Sequence, residues 1–168
     1  MKKILLILFT FLLLNTNALA KEIIYLKCPE IVTENRSKGR YEAFSTKGKE
    51  MGRTYAMITI LKSSAKIKLH SAMGNYPVKE LSIWETRKIV LKDGKYIYEE
   101  ILNDNIASFV NKRSFFKVDG NWKFSGFEKY KEKKILDGNE KADIAYTIGG
   151  RCDVLSKKTY KSIIKKGE

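Results

Sequence analysis

The chain reads as an all-β protein: a single-domain antiparallel β-barrel or sandwich, a meander of short strands with a short C-terminal helix. Three observations predict this class. Apolar and polar residues alternate in short runs, as in Ala65-Lys66-Ile67-Lys68-Leu69-His70, which is the period-two signature of a half-buried strand. Turn signals recur about every ten residues from Thr54 to Phe127, the spacing of a sandwich or barrel. No helical period competes with the strand pattern from Thr54 to Phe127.

The elements follow in chain order. Met1-Lys2-Lys3 is followed by an apolar run from Ile4 to Leu14 and by Ala18-Leu19-Ala20, which together make the charged, apolar and small-residue parts of a secretory leader. The run falls well short of the ~20 residues that a membrane span requires. Residues 1–20 are therefore expected to be a signal peptide, and residues 21–168 one β-rich domain, periplasmic or secreted after cleavage. The first strand is expected over Ile23-Ile24-Tyr25-Leu26-Lys27-Cys28, stopped by Pro29. Glu30 to Gly52 is polar, broken by glycines and anchored only by Tyr41 and Phe44, so a long loop or a frayed hairpin is expected there.

Thr54 to Leu61 and the Ala65–His70 run are the next two strands. Gly74-Asn75-Tyr76-Pro77 predicts a turn, and Val78 to Trp84 a strand with Leu81 and Ile83 on one face. Lys88 to Lys92 and the segment from Tyr96 to Ile101 flank Asp93-Gly94, a two-residue hairpin signal because both central residues of a type I′ turn take positive φ. Ile106–Val110 and Arg113–Val118 read as separate strands around an Asn111-Lys112 turn. Asp119-Gly120-Asn121 reverses the chain into Trp122-Lys123-Phe124. The charged run Lys129 to Lys134 reads as a solvated loop. Strand character resumes at Ile144–Ile148, with a bend or bulge expected at Gly149-Gly150. Ser156 is a candidate N-cap for a short basic helix that carries Tyr160, Ile163 and Ile164 on one side.

Composition limits the function classes. The only two cysteines, Cys28 and Cys152, lie near the ends of the expected mature chain, and in an exported protein an even count this small predicts one disulfide. The net charge of +14 comes from 33 Lys and Arg, of which only six are Arg. Such a balance invites an anionic partner, but arginine is the usual choice for two-pronged phosphate recognition. Nucleic acid is accordingly not the expected partner. An anionic membrane surface, an envelope protein or an apolar small molecule is.

Catalytic signals are weak. The single histidine, His70, sits on the polar face of its strand with no ligand-spaced neighbour. No nucleophile elbow, phosphate-cradling glycine motif or calcium loop occurs. Glu99, Glu100 and Asp104 are close in sequence, but nothing singles them out as an acid/base pair. No enzyme activity, metal or cofactor is expected. The aromatic residues are more suggestive. Tyr96, Tyr98, Phe109, Phe116, Trp122 and Phe124 crowd into one region and could line a cleft for an apolar or sugar-like ligand, although hairpin alternation alone predicts them as the aromatic residues of a small core.

The order of leader, up-and-down strands, terminal disulfide and closing helix resembles lipocalin-type barrels in architecture. Gly120-Asn121-Trp122 is a G-x-W, but it falls late in the chain and not in the first strand, so no ligand residue follows from the resemblance. The expected function is that of a small exported non-enzymatic β-domain that binds an apolar small molecule or an anionic envelope component. The alternative is a structural or interaction module of the envelope.

Overall fold

The computed structural model describes residues 22–39, 46–61, 64–73, 79–80, 87–134 and 141–167. Its elements are β1 (Glu22–Asn35), β2 (Glu50–Ile60), β3 (Ala65–Met73), β4 (Lys79–Glu80), β5 (Arg87–Lys92), β6 (Lys95–Asn103), β7 (Ala107–Val118), β8 (Asn121–Glu132), β9 (Asp143–Arg151), β10 (Asp153–Val154) and α1 (Lys157–Lys166). The expected leader, Tyr41 and Phe44, the Gly74–Pro77 turn and the Leu81–Trp84 part of the expected strand lie outside the described residues.

Strands β1, β2, β3, β5, β6, β7, β8 and β9 pair antiparallel in that order, and β9 returns to β1. The fold is thus a closed eight-stranded barrel and not a sandwich. β4 pairs with β3 outside this path, and β10 continues along β1. Eight strands leave an interior just wide enough to be filled by side chains. Ile24, Leu26, Cys28, Ala56, Ile58, Ile67, Leu69, Phe115, Trp122, Phe124 and Ile148 fill most of it. Both predicted hairpin turns have the required conformation: Asp93 and Gly94 have φ of 51° and 70°, and Asp119 and Gly120 have 50° and 75°.

Several strands run further than their sequence signals. β1 continues through Pro29, against the expectation that proline stops it. The Tyr25 carbonyl accepts from Leu155 N–H of the segment after β10, and by the two-residue period Pro29 turns the same side of its backbone away from β2. No partner is registered on that side between Lys27 and Ile31, where β1 changes neighbours from β10 to β9. The missing N–H therefore costs no β2 ladder bond. Glu30 to Asn35 is strand and not loop, with a register shift between Glu30 and Ile31.

Asn111-Lys112 is no turn either. β7 is continuous, and both residues keep their in/out alternation: Asn111 is buried inside, while Lys112 pairs with Glu99 on the outer face at 3.7 Å. Lys129 to Glu132 likewise belongs to β8. Lys129 and Lys131 point outward, while Tyr130 is half-buried and Glu132 is buried. In each case a polar residue facing the interior masked the period on which the strand assignment rests.

Cys28 and Cys152 are joined, with S–S at 2.06 Å, across 124 residues of sequence. The bridge sits where β1 changes partners. Beside it, a Cβ on Gly150 would lie 2.8 Å from both Cγ and the carbonyl oxygen of Pro29. Gly150 does not adopt positive φ, so the requirement is for space. Gly150→Ala should cost about 1–3 kcal/mol, as overpacking against backbone does, read as a lower denaturation midpoint at unchanged slope. An unchanged midpoint would mean that β1 and β9 separate there without cost.

Candidate functional site

Five of the six aromatic residues singled out from sequence share the inward parity of their strands, but they are spread along the barrel axis. Tyr98 and Phe124 are buried within the core, where Phe124 packs on Phe115 at 5.3 Å between ring centroids. Tyr96 and Trp122, 5.9 Å apart, lie at the end that carries the β5–β6 and β7–β8 turns. Phe109 is in register with Leu102 and Tyr130 toward the other end. Phe116 faces outward, in register with Lys95 and Lys123, and the Lys95 ammonium sits 5.1 Å above its ring. The six residues do not converge on one cleft. Tyr96 and Trp122 do meet Glu22, Ile24, Ile60, Gly94 and Lys117 around a recess of about 150 Å³, small beside the roughly 300–1,000 Å³ of typical ligand pockets.

The middle of the barrel holds an ionic cluster that the sequence did not announce. Arg113 on β7 is 4 % exposed and donates to Glu30 on β1, to Thr54 Oγ1 on β2 at 2.5 Å, and to Glu128 Oε1 on β8 at 2.5 Å. Thr54 also donates its hydroxyl to Glu30, and Tyr146 donates to Glu128 Oε2 at 2.6 Å. Burial works against the Arg113 charge, but Glu30 and Glu128 outweigh it and hold the guanidinium pKa above its ordinary value. Burial, reinforced by Glu128, pushes the Tyr146 phenol up as well. Five strands, β1, β2, β7, β8 and β9, contribute to this cluster, and its cation is matched by two carboxylates. Its groups are engaged with one another, which suits a structural tie across the barrel better than a reactive centre. Among the described residues, no three His, Cys, Asp or Glu side chains are placed to hold a metal ion.

The larger opening lies on the outer wall, under α1. Ser156 caps this helix by accepting from Thr159 N–H at 3.1 Å, and Gly167 ends it at φ 74°. Tyr160 is the anchor. Its ring is 5.0 Å from that of Tyr25, and its hydroxyl is 3.2 Å from His70 Nδ1. His70, expected on a solvated face, is only 4 % exposed, because α1 covers the outer side of β3. The outward residues of three strands align in rows by register: Tyr25, Met57 and Lys68 form one, and Lys27, Tyr55 and His70 the next.

Between the helix and this wall runs a groove of about 460 Å³. Its floor and sides are Tyr25, Met57, His70, Tyr160 and Ile164, and Lys68, Lys161 and Lys165 stand around it. Among the described residues, no carboxylate lines it. Lys161 and Lys165 are exposed and enter no ion pair with the described residues. The sequence signal for this site was present in the Tyr160/Ile164 face of the helix. What it lacked was the strand face that the helix covers.

A closed eight-stranded barrel with a basic helix laid along its outer wall is the class that fold and groove define. Comparison of the chain with protein-family models, with curated proteins and with solved structures finds no match.

Proposed function

We propose that the protein is a non-enzymatic binding protein, exported after loss of residues 1–20, and that its ligand is an amphipathic anion. The ligand is an acyl chain carrying a carboxylate or phosphate, seated between α1 and the barrel wall. One observation carries this reading: an apolar floor of Tyr25, Met57 and Ile164 beside three lysines, with no carboxylate in the lining among the described residues. The volume lies in the range of small-molecule sites. Burying an alkyl chain on such a floor supplies the non-directional part of affinity, and the ammonium groups select the sign of the head group.

Isothermal titration with dodecanoate and with dodecyltrimethylammonium, both below micelle formation, tests the proposal. Dodecanoate should bind at least about tenfold more tightly, the equivalent of ~1.4 kcal/mol. Ile164→Trp, which fills the groove, should abolish that binding. Equal affinity for the two surfactants, or no binding of dodecanoate, would overturn it.

A second reading, an interaction module with a protein partner, is favoured by one feature. Val90 and Leu91 on β5 and Ile101 and Leu102 on β6 are 63 %, 61 %, 63 % and 52 % exposed, as two separate apolar pairs toward opposite ends of β6. A stable dimer in native mass spectrometry of a protein that ignores dodecanoate would favour it.

A further inference from the structure

We infer that the face bearing α1 and the groove docks on an anionic lipid bilayer, so that the groove opens at the membrane from which it takes its ligand. α1 carries Lys157, Lys158, Lys161, Lys165 and Lys166 in ten residues, and no Asp or Glu occurs between Val154 and Gly167. The wall beside it has the same sign. Lys68 borders the groove, and the next register row, Ile23, Thr59 and Lys66, adjoins the groove floor. In that row Lys66 is exposed and Ile23 is 45 % exposed. Cations therefore surround the groove on the helix side and the strand side, with an apolar residue between them available to the lipid interface.

This arrangement differs from an inserted amphipathic helix, which would need its apolar side free. Here Tyr160 is buried against the barrel, and Ile163 and Ile164 are partly buried with it. The helix stays on the protein and presents its lysines. Attraction to anionic head groups then supplies the docking and falls off within a Debye length. The inference rests on the groove reading for its purpose; the bilayer contact shares Lys161 and Lys165 with the groove lining and adds Lys66, Lys157, Lys158 and Lys166, and a groove filled at Ile164 separates the two.

Co-sedimentation of the full protein with phosphatidylcholine vesicles, with and without phosphatidylglycerol, tests it. Binding should require phosphatidylglycerol and be released by high salt. Reversal of three lysines, Lys66→Glu/Lys161→Glu/Lys165→Glu, should lower partitioning by at least about a hundredfold, from roughly fivefold for each lysine lost near the surface, with repulsion of the three new carboxylates added to that. The same number of reversals on the β8 wall, Lys123→Glu/Lys129→Glu/Lys131→Glu, should change it by only a fewfold. Ile164→Trp should lose dodecanoate yet keep the vesicles, which separates failure of the groove from failure of the docking face. Equal partitioning onto vesicles without phosphatidylglycerol would overturn the inference. So would equal losses from the two sets of reversals, which would reduce the effect to net charge.

Discussion

Cys28→Ala/Cys152→Ala should lower the free energy of unfolding by about 4–5 kcal/mol, with a fall in Tm of roughly 10–20 °C. The bridge closes a loop of 124 residues, and restricting so long a segment removes much of the entropy of the unfolded chain. Its position adds a local effect. Both cysteines are buried, and they join the strands where β1 changes neighbours and the ladder is interrupted. The Cys152 N–H also donates to the Trp122 carbonyl, which holds the β9–β10 junction against β8. Guanidinium denaturation with and without reductant checks the expectation in unmodified protein. Coincident curves would show that the bridge contributes nothing to stability.

Arg113→Met is the second large effect. It removes the cation that two carboxylates share inside the barrel and leaves Glu30 and Glu128 close together without it. Breaking a buried ion pair by taking out one partner typically costs 3–5 kcal/mol. The side chains of Arg113 and Glu30 are 5 % and 6 % exposed, and that of Glu128 is 19 % exposed, so solvent can relieve only the Glu128 side. The effect should therefore be about 3 kcal/mol or more. Replacing all three residues together, Glu30→Leu/Arg113→Met/Glu128→Leu, should recover most of the loss, because no uncompensated charge then remains. Denaturation midpoints of the two variants decide the matter. A triple variant no more stable than Arg113→Met would locate the effect in lost packing against the Phe124 ring, 5.6 Å from the guanidinium carbon.

The barrel was legible in the sequence wherever inward positions were apolar. Ile67 and Leu69 between lysines, and Trp122 and Phe124 around Lys123, gave their faces away, as did the Asp-Gly turns with their positive φ. It was illegible where the interior is polar. Asn111 faces inward, and Glu30 and Glu132 do the same on their strands, so alternation by hydrophobicity broke down there and read as loop or turn. Glu30 belongs to the ionic cluster, and Asn111 adjoins it through Glu128 and Arg113. Its pairings join residues up to 83 positions apart, as in Arg113 with Glu30, and no local pattern reports that. The groove was half legible. The apolar side of α1 was clear, but its seat on Tyr25, Tyr55 and His70 depends on a register between three strands that only the folded barrel fixes.

The closing of β9 on β1 also sets an order of events. β2 follows β1 closely, but Thr33 meets Thr147 across 114 residues. During synthesis the second edge of β1 stays open until nearly the whole chain exists, and an open edge is a template for any other strand in reach. Pairing of such distant segments is intrinsically slow. A chain that ends before β9 keeps that edge exposed and lacks Cys152 as well, so completion of the barrel and its covalent locking both wait on the final strands.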